Sequence, residues 1–350
     1  MSDLNMVKTA VVGASGYTGT ELLRILLQHP AADLKCVTSR QYAGERIGDH
    51  FPRFRGAAGA DLTFSQPDID GIVGSGATVA FLAVPHGLAS EYAIPLLEKG
   101  LKVIDLSADF RVHDPVVYEE FYGDAHPAPD FLSEAIYGLP EIRPDAIAQA
   151  RLIASPGCYP TSMLIPLIPL LAEGLIDPTS IHIFSMSGVS GAGRAAKIPL
   201  LFAECSGSLR AYSVPKHRHL SEVEQELSEA AGEKVTISFT PHLVPVIAGI
   251  TTTIYAQPVS GVSKEQVEAA YQKAYGDSYF VRLLGEDGCP DSKNVVGTNF
   301  IDVGWAHDPR TGRFVLMSSE DNLGKGAASQ AVQSFNLMNG LPETTGLTSF

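Results

Sequence analysis

The sequence predicts an α/β protein: a Rossmann-type parallel sheet domain joined to a second, α+β domain on a mixed or antiparallel sheet. Three observations predict it. Short β-branched runs alternate with helical patterns through the first half, a glycine loop follows the first run, and beyond about residue 156 strand-like runs outnumber helices. The chain has 350 residues, 45% of them apolar, and single cores seldom grow past roughly 250 residues. Two domains are therefore expected, over residues 1–155 and 156–321, with a C-terminal helix at about 322–340 returning to the first.

In order, residues 8–12, 34–38, 79–84 and 101–106 read as strands, with helical patterns at 21–28 and 95–99. That alternation is the mark of a parallel sheet with helical crossovers. Residues 151–154 read as a further strand, followed by an apolar run that Pro166 and Pro169 should make short or irregular as a helix. Residues 181–185, 235–239, 251–256 and 300–306 read as strands of the second sheet, and residues 324–338 have helical spacing.

Composition excludes several function classes. A formal net charge of −14 repels nucleic acid and anionic membrane, though not a small anion held by a few local arginines. No apolar stretch approaches the roughly 18 residues of a spanning helix, and the start, MSDLNMVK, lacks the apolar core of a signal peptide. A cytoplasmic protein is expected. Cys36, Cys158, Cys205 and Cys289 form no C-x-x-C pair, so free thiols are expected rather than zinc ligands or disulfides, and no metal is expected elsewhere.

Directly after the first strand stands Gly13-Ala14-Ser15-Gly16-Tyr17-Thr18-Gly19. Glycines there permit a tight turn that aims backbone N–H groups and a helix N-terminus at a pyrophosphate. A site for NAD ends its second strand with a carboxylate for the ribose 2′-hydroxyl. Here that place reads Thr38-Ser39-Arg40. A hydroxyl and a guanidinium suit a 2′-phosphate instead, so NADP(H) is the expected cofactor.

Ser155-Pro156-Gly157-Cys158 sits at a strand-to-helix junction. A thiol there faces the partial positive charge of a helix N-terminus, which favours the nucleophilic thiolate. A base and an orienting group are then needed, and Lys216-His217-Arg218-His219 with Glu222 supplies candidates. Either His217 or His219 could carry the proton, and Glu222 could orient it. Two further segments read as anion nests, Ser107-Ala108-Asp109-Phe110-Arg111 and Ser187-Gly188-Val189-Ser190-Gly191-Ala192-Gly193-Arg194, each ending in an arginine able to grip phosphate or carboxylate. Arg111, Ser155, Ser187, Gly193 and Arg194 are thus the candidate substrate residues.

Taken together, GASGYTG, LAVPHG, DLSADFR, YGLPE, SPGCYPT, SGVSGAGR, HRHLSE, FTPHLVP and DNLGKGAA resemble the N-acetyl-gamma-glutamyl-phosphate reductases, in order and over nearly the whole chain. The resemblance implies NADPH-dependent reduction of an acyl phosphate to a semialdehyde in arginine biosynthesis, through a thioester on Cys158, in a homodimer or homotetramer. It places the histidine pair on His217 and His219. Cofactor contacts fall on Gly13, Ser15, Gly16, Tyr17, Thr18, Gly19, Ser39, Arg40, Pro85, His86 and Gly188, and late ones on Asn322, Gly324 and Lys325. Residues 1–155 become the NADP-binding domain and 156–321 the catalytic and oligomerisation domain.

Two positions depart from the family's pattern: Ala248 stands where an arginine is usual, and Ser329 where glycine is expected. Both bear on substrate detail more than on reaction type. The same chemistry on an aminoadipyl or carrier-linked acyl phosphate is the nearest alternative. A nicotinamide-binding sensor without catalysis is another, against which Cys158 and both histidines speak.

Overall fold

The computed structural model describes residues 6–348. The chain forms two compact units. The first takes the described residues of Met1–Val116, Ala125–Pro156 and Ala327–Phe350, and the second takes Val117–Asp124 and Gly157–Gly326. Among the described residues no helix is long and apolar enough to cross a membrane.

The first unit is built on six strands: β1 (Val7–Val12), β2 (Ala32–Val37), β3 (Val79–Leu82), β4 (Lys102–Asp105), β5 (Ile136–Tyr137) and β6 (Leu152–Ala154). They lie in the order β2-β1-β3-β4-β6-β5 and every pairing is parallel. All four residues of β3 and all three of β6 are buried, which explains their continuous apolar runs: a parallel sheet is covered on both faces. Helix Tyr17–Leu26 buries Leu22, Leu23, Ile25 and Leu26, and helix Ser329–Met338 packs against it and against helix Pro144–Gln149. That C-terminal helix is held by polar contacts. Gln333 Nε2 donates to Glu141 Oε1 at 2.9 Å, and Asn336 Oδ1 meets His29 Nε2 at 3.0 Å.

The second unit carries β7 (His182–Ser187), β8 (Arg210–Ala211), β9 (Ser238–Leu243), β10 (Ile250–Ala256), β11 (Val281–Glu286), β12 (Ile301–Asp308) and β13 (Arg313–Glu320). Their order is β11-β12-β13-β10-β7-β9-β8. The pairs β7/β9 and β11/β12 are parallel and the rest antiparallel, a mixed sheet. One face packs against helix Cys158–Ala172, which touches β10, β12 and β13. Phe184, Met186 and Tyr255 point the other way and are exposed.

Helix Cys158–Ala172 corrects the expectation that prolines would make it short or irregular: it runs for 15 residues with Pro166 and Pro169 inside. Proline removes an N–H and strands the carbonyl four residues back. Both stranded carbonyls find donors. Ser318 Oγ donates to Ser162 O at 2.6 Å, opposite Pro166, and Tyr275 Oη donates to Ile165 O at 2.8 Å, opposite Pro169. Nearly every residue of the helix is buried, so tertiary packing overrides its poor propensity. Tyr275→Phe should therefore leave a buried carbonyl unpaired and lower stability by about 1–3 kcal/mol, read as a reduced midpoint in urea with an unchanged slope.

Candidate active site

Within the second unit, Cys158 is the first residue of its helix, and the N-cap, Gly157, brings no side chain to the free amides. The turn is tight enough to require glycine. A Cβ at Gly157 would lie 2.7 Å from His219 Nε2 and 2.9 Å from Glu222 Oε1. Glu222, wholly buried on the first turn of helix Leu220–Ala231, accepts the Gly157 N–H through Oε2 at 3.1 Å. Its Oε1 stands 3.9 Å from His219 Nε2. A carboxylate thus fixes the nucleophile's turn with one oxygen and faces an imidazole with the other.

His217 is set differently. Its Nδ1 accepts the His219 backbone N–H at 3.2 Å, and its ring meets those of Tyr159, Tyr212, His219 and Phe239 edge-on. Burial, reinforced by the nearby Arg218 charge, pushes its pKa down to about 4. Tyr212 Oη donates to Tyr159 Oη at 2.9 Å, and burial holds both phenols protonated, Tyr212 pushed up to about 12 and Tyr159 higher still. Sequence reasoning missed both tyrosines. Tyr159 had only its place beside Cys158 as a signal, and Tyr212 had none.

On the other side of the thiol is a π turn, Gly324–Ala328, of the kind that recurs at functional sites. A Cβ on Gly326 would come within 2.9 Å of Cys158 Cβ. Asn322, Gly324 and Lys325 stand in the second unit. Asn322 Oδ1 accepts the Gly249 N–H at 2.7 Å and its Nδ2 donates to Ser190 Oγ at 2.9 Å, while Lys325 is buried with Nζ 5.9 Å from the centre of the Phe280 ring.

The two expected anion nests are closed. In the first unit the nest over residues 107–111 is filled by the protein's own Asp105, whose carboxylate accepts the Ser107 N–H and Ser107 Oγ, both at 2.8 Å. Burial, with Asp109 nearby, raises Asp105 to about 7. Asp109 accepts the N–H groups of Gly87 and Ala89, the latter opening helix Ala89–Glu98. Arg111 gives Nε to Ser155 O at 2.7 Å and Nη2 to Leu106 O at 2.9 Å, so it braces backbone instead of offering an open fork. Among the described residues the buried Ser155 Oγ beside it has no hydrogen-bond partner.

In the second unit, the N–H groups of Gly188, Val189, Ser190 and Gly193 all donate to carbonyls, of Gly249, Val246, Ile247 and Ser190. Ser187 Oγ donates to Gly188 O at 3.1 Å. Arg194 projects from this segment and is exposed. Ala248 lies against Gly188, where a Cβ would sit 2.8 Å from its N. Ser329 is buried as the first residue of the C-terminal helix.

The glycine loop of the first unit fits a phosphorylated dinucleotide. Gly13 packs so closely on β3 that a Cβ would lie 2.4 Å from Ala83 O, and one on Gly19 would lie 2.5 Å from Gly13 O. Gly16 caps helix Tyr17–Leu26 without a side-chain hydrogen bond, leaving its first amides for an anion. Tyr17 and Thr18 open that helix, and Pro85 and His86 are exposed just after neighbouring β3. Thr38 Oγ1 accepts the Gly13 N–H at 3.2 Å and so stitches the end of β2 to the glycine loop. Ser39 Oγ meets Ser15 Oγ at 2.9 Å, and exposed Arg40 donates to Tyr92 Oη at 3.0 Å, with no carboxylate at the strand end.

Comparison with known proteins agrees with both halves. Residues 8–150 match the model of the semialdehyde dehydrogenase NAD binding domain, and residues 158–322 that of the semialdehyde dehydrogenase dimerisation domain. An N-acetyl-gamma-glutamyl-phosphate reductase of Akkermansia muciniphila is 58% identical over 98% of this chain and 99% of its own, and one of Citrifermentans bemidjiense is 49% identical over 98% of each. Among solved structures, aspartate semialdehyde dehydrogenase II of Vibrio cholerae superposes with a TM-score of 0.71 at 20% identity, covering 95% of this chain and 98% of that one. The Candida albicans aspartate semialdehyde dehydrogenase with NADP gives 0.70 at 15%, covering 96% and 99%. Those two likenesses carry the fold, and the far closer sequence relatives carry the rest: the chain belongs to the N-acetyl-gamma-glutamyl-phosphate reductase family of semialdehyde dehydrogenases.

Proposed function

We propose that this enzyme reduces N-acetyl-L-glutamyl 5-phosphate to N-acetyl-L-glutamate 5-semialdehyde and phosphate with NADPH, a cytoplasmic step of arginine biosynthesis. The observation that carries the chemistry is the Gly157 turn, where one buried carboxylate binds the nucleophile's N-cap and faces His219. The full-length relatives carry the substrate.

Cys158 passes its proton to His219, and the imidazolium formed is stabilised by Glu222. The thiolate attacks the acyl carbon, the carbon–oxygen bond to phosphate breaks, and His219 returns the proton to the departing phosphate. A thioester on Cys158 remains. Bound NADPH supplies the hydride that reduces this thioester. The tetrahedral oxyanion left on the acyl group then collapses, releasing the aldehyde and regenerating the thiolate, with the free amides of the helix N-terminus stabilising the negative charge. One proton is consumed per turnover and re-enters through His219.

In the first unit, Gly13, Ser15, Gly16, Tyr17, Thr18 and Gly19 would hold the pyrophosphate, Ser39 and Arg40 the 2′-phosphate, and Pro85 and His86 the neighbouring sugar. Arg40→Ala should raise KM for NADPH about tenfold and leave that for NADH unchanged, because only the phosphate uses a charge-assisted bond. Equal effects on both cofactors would remove Arg40 from phosphate recognition.

The enzyme acts as a homodimer or homotetramer through the open face of the second sheet. Phe184 and Met186 on β7 stand beside Thr253 and Thr251 on β10, and Phe184 meets Tyr255 edge-on. An apolar face of this kind is what an obligate interface covers. Light scattering should give two or four chain masses, and the pair Phe184→Lys with Met186→Lys should give one; a monomeric wild type would contradict it.

The substrate is tested in reverse, by phosphate-dependent reduction of NADP with N-acetyl-glutamate 5-semialdehyde. Turnover that requires phosphate supports the assignment. No turnover, with activity on the homologous aminoadipate semialdehyde or a carrier-linked one, moves the enzyme to that substrate.

A further inference from the structure

We propose that His217 is a fixed neutral hydrogen-bond donor, through Nε2, to the acyl oxygen as that oxygen gains charge, while His219 carries the proton. The inference rests on the acyl-phosphate reading above and divides a labour that the histidine pair leaves undivided in the sequence.

The tautomer is set by the backbone. With Nδ1 accepting the His219 N–H at 3.2 Å, the single proton of the neutral ring belongs on Nε2. The side chain is 8% exposed, and among the described residues none pairs with Nε2. With its Nδ1 already engaged and no protein acceptor on Nε2, that N–H is left for an incoming group. The rings of Tyr159 from the nucleophile helix, Phe239 from β9, Tyr212 and His219 pack around it at 4.8 to 5.7 Å between centres, so the ring is held without a second hydrogen bond. This is preorganisation, which lets a donor act on a developing charge without reorientation.

Burial and the Arg218 charge favour the neutral form of His217. Tyr159 and Tyr212 stay protonated, and Arg218 adds a positive charge nearby. Cys158 bears on both tyrosines, and His219 is in ring contact. Among the described residues no carboxylate acts on His217, whereas His219 has Glu222 at 3.9 Å. A proton taken by His217 would have nothing to stabilise it, and a proton taken by His219 would.

The test has two readouts. In the free protein, nitrogen-edited NMR should show the Nε2–H tautomer of His217 with no titration between pH 5.5 and 8.5. In steady state, His217→Ala should lower kcat about 100-fold, the scale of one lost oxyanion donor, with the acid limb of kcat/KM unmoved. His217→Gln, whose amide N–H is also neutral, should recover to within about tenfold of wild type. A near-neutral titration of His217, loss of the acid limb in the alanine variant, a glutamine variant as slow as alanine while folded, or wild-type rates in both would each overturn the proposal. Absence of wild-type turnover on the acyl phosphate would instead count against the reaction, and the NMR result would still decide the tautomer.

Discussion

Cys158→Ala should reduce turnover in both directions by at least about 10⁴-fold, a loss of roughly 5 kcal/mol of transition-state stabilisation at 1.36 kcal/mol per decade. The size follows from the chemistry. Without the thiolate no covalent intermediate forms, and hydride would have to displace phosphate from the acyl carbon directly. NADPH binding should survive, because the glycine loop belongs to the first unit and Cys158 to the second. Fluorescence titration with NADPH giving an unchanged Kd, beside abolished turnover, is the expected pair of results. Cys36 and Cys205 are buried and Cys289 is exposed at the surface, so alanine at any of these should leave turnover within a few-fold of wild type.

His219→Gln should lower kcat/KM by about 10²–10⁴-fold, the usual reach of general acid–base catalysis, and abolish its acid limb. Glu222→Gln should be milder in rate, and it separates two functions of one residue. The amide oxygen can still accept the Gly157 N–H, now at 3.1 Å from Oε2, but the charge opposite His219 is gone. Removing a facing carboxylate lowers the histidine's affinity for a proton. The acid limb of kcat/KM should accordingly move to lower pH in Glu222→Gln. A limb that stays in place would mean that Glu222 acts only as a brace for the turn.

Much of this arrangement was legible in the sequence, for identifiable reasons. The first sheet could be read because β3 and β6 are buried on both faces and show as unbroken apolar runs. Gly13, Gly16 and Gly19 could be read because the close approaches they permit leave no room for a side chain at Gly13 or Gly19. In the second sheet, β8, β11 and β13 were missed. The buried end of β13 is Ser318, Ser319 and Glu320, polar residues that carry no hydrophobic alternation. Pro241 inside β9 shifted that strand's reading toward residues 235–239.

The site was less legible than the fold. Long-range partners decide it. Nothing in the local pattern announces that Ser318 and Tyr275 would rescue the carbonyls stranded by Pro166 and Pro169, or that Tyr212 would meet Tyr159 across 53 residues. The expected anion nests failed for the same reason. Their small residues do form turns, but Asp105 and Ser107 Oγ in the first, and the carbonyls of Val246, Ile247 and Gly249 in the second, already take N–H groups.

The central claim is a thioester on Cys158, and rapid mixing of enzyme with acyl phosphate in the absence of NADPH tests it most directly. The expected result is a burst of one phosphate per chain, with intact-mass analysis placing the acyl group on Cys158 and no burst in Cys158→Ala. Phosphate released only when NADPH is present, with no acylated cysteine at any time, would contradict it.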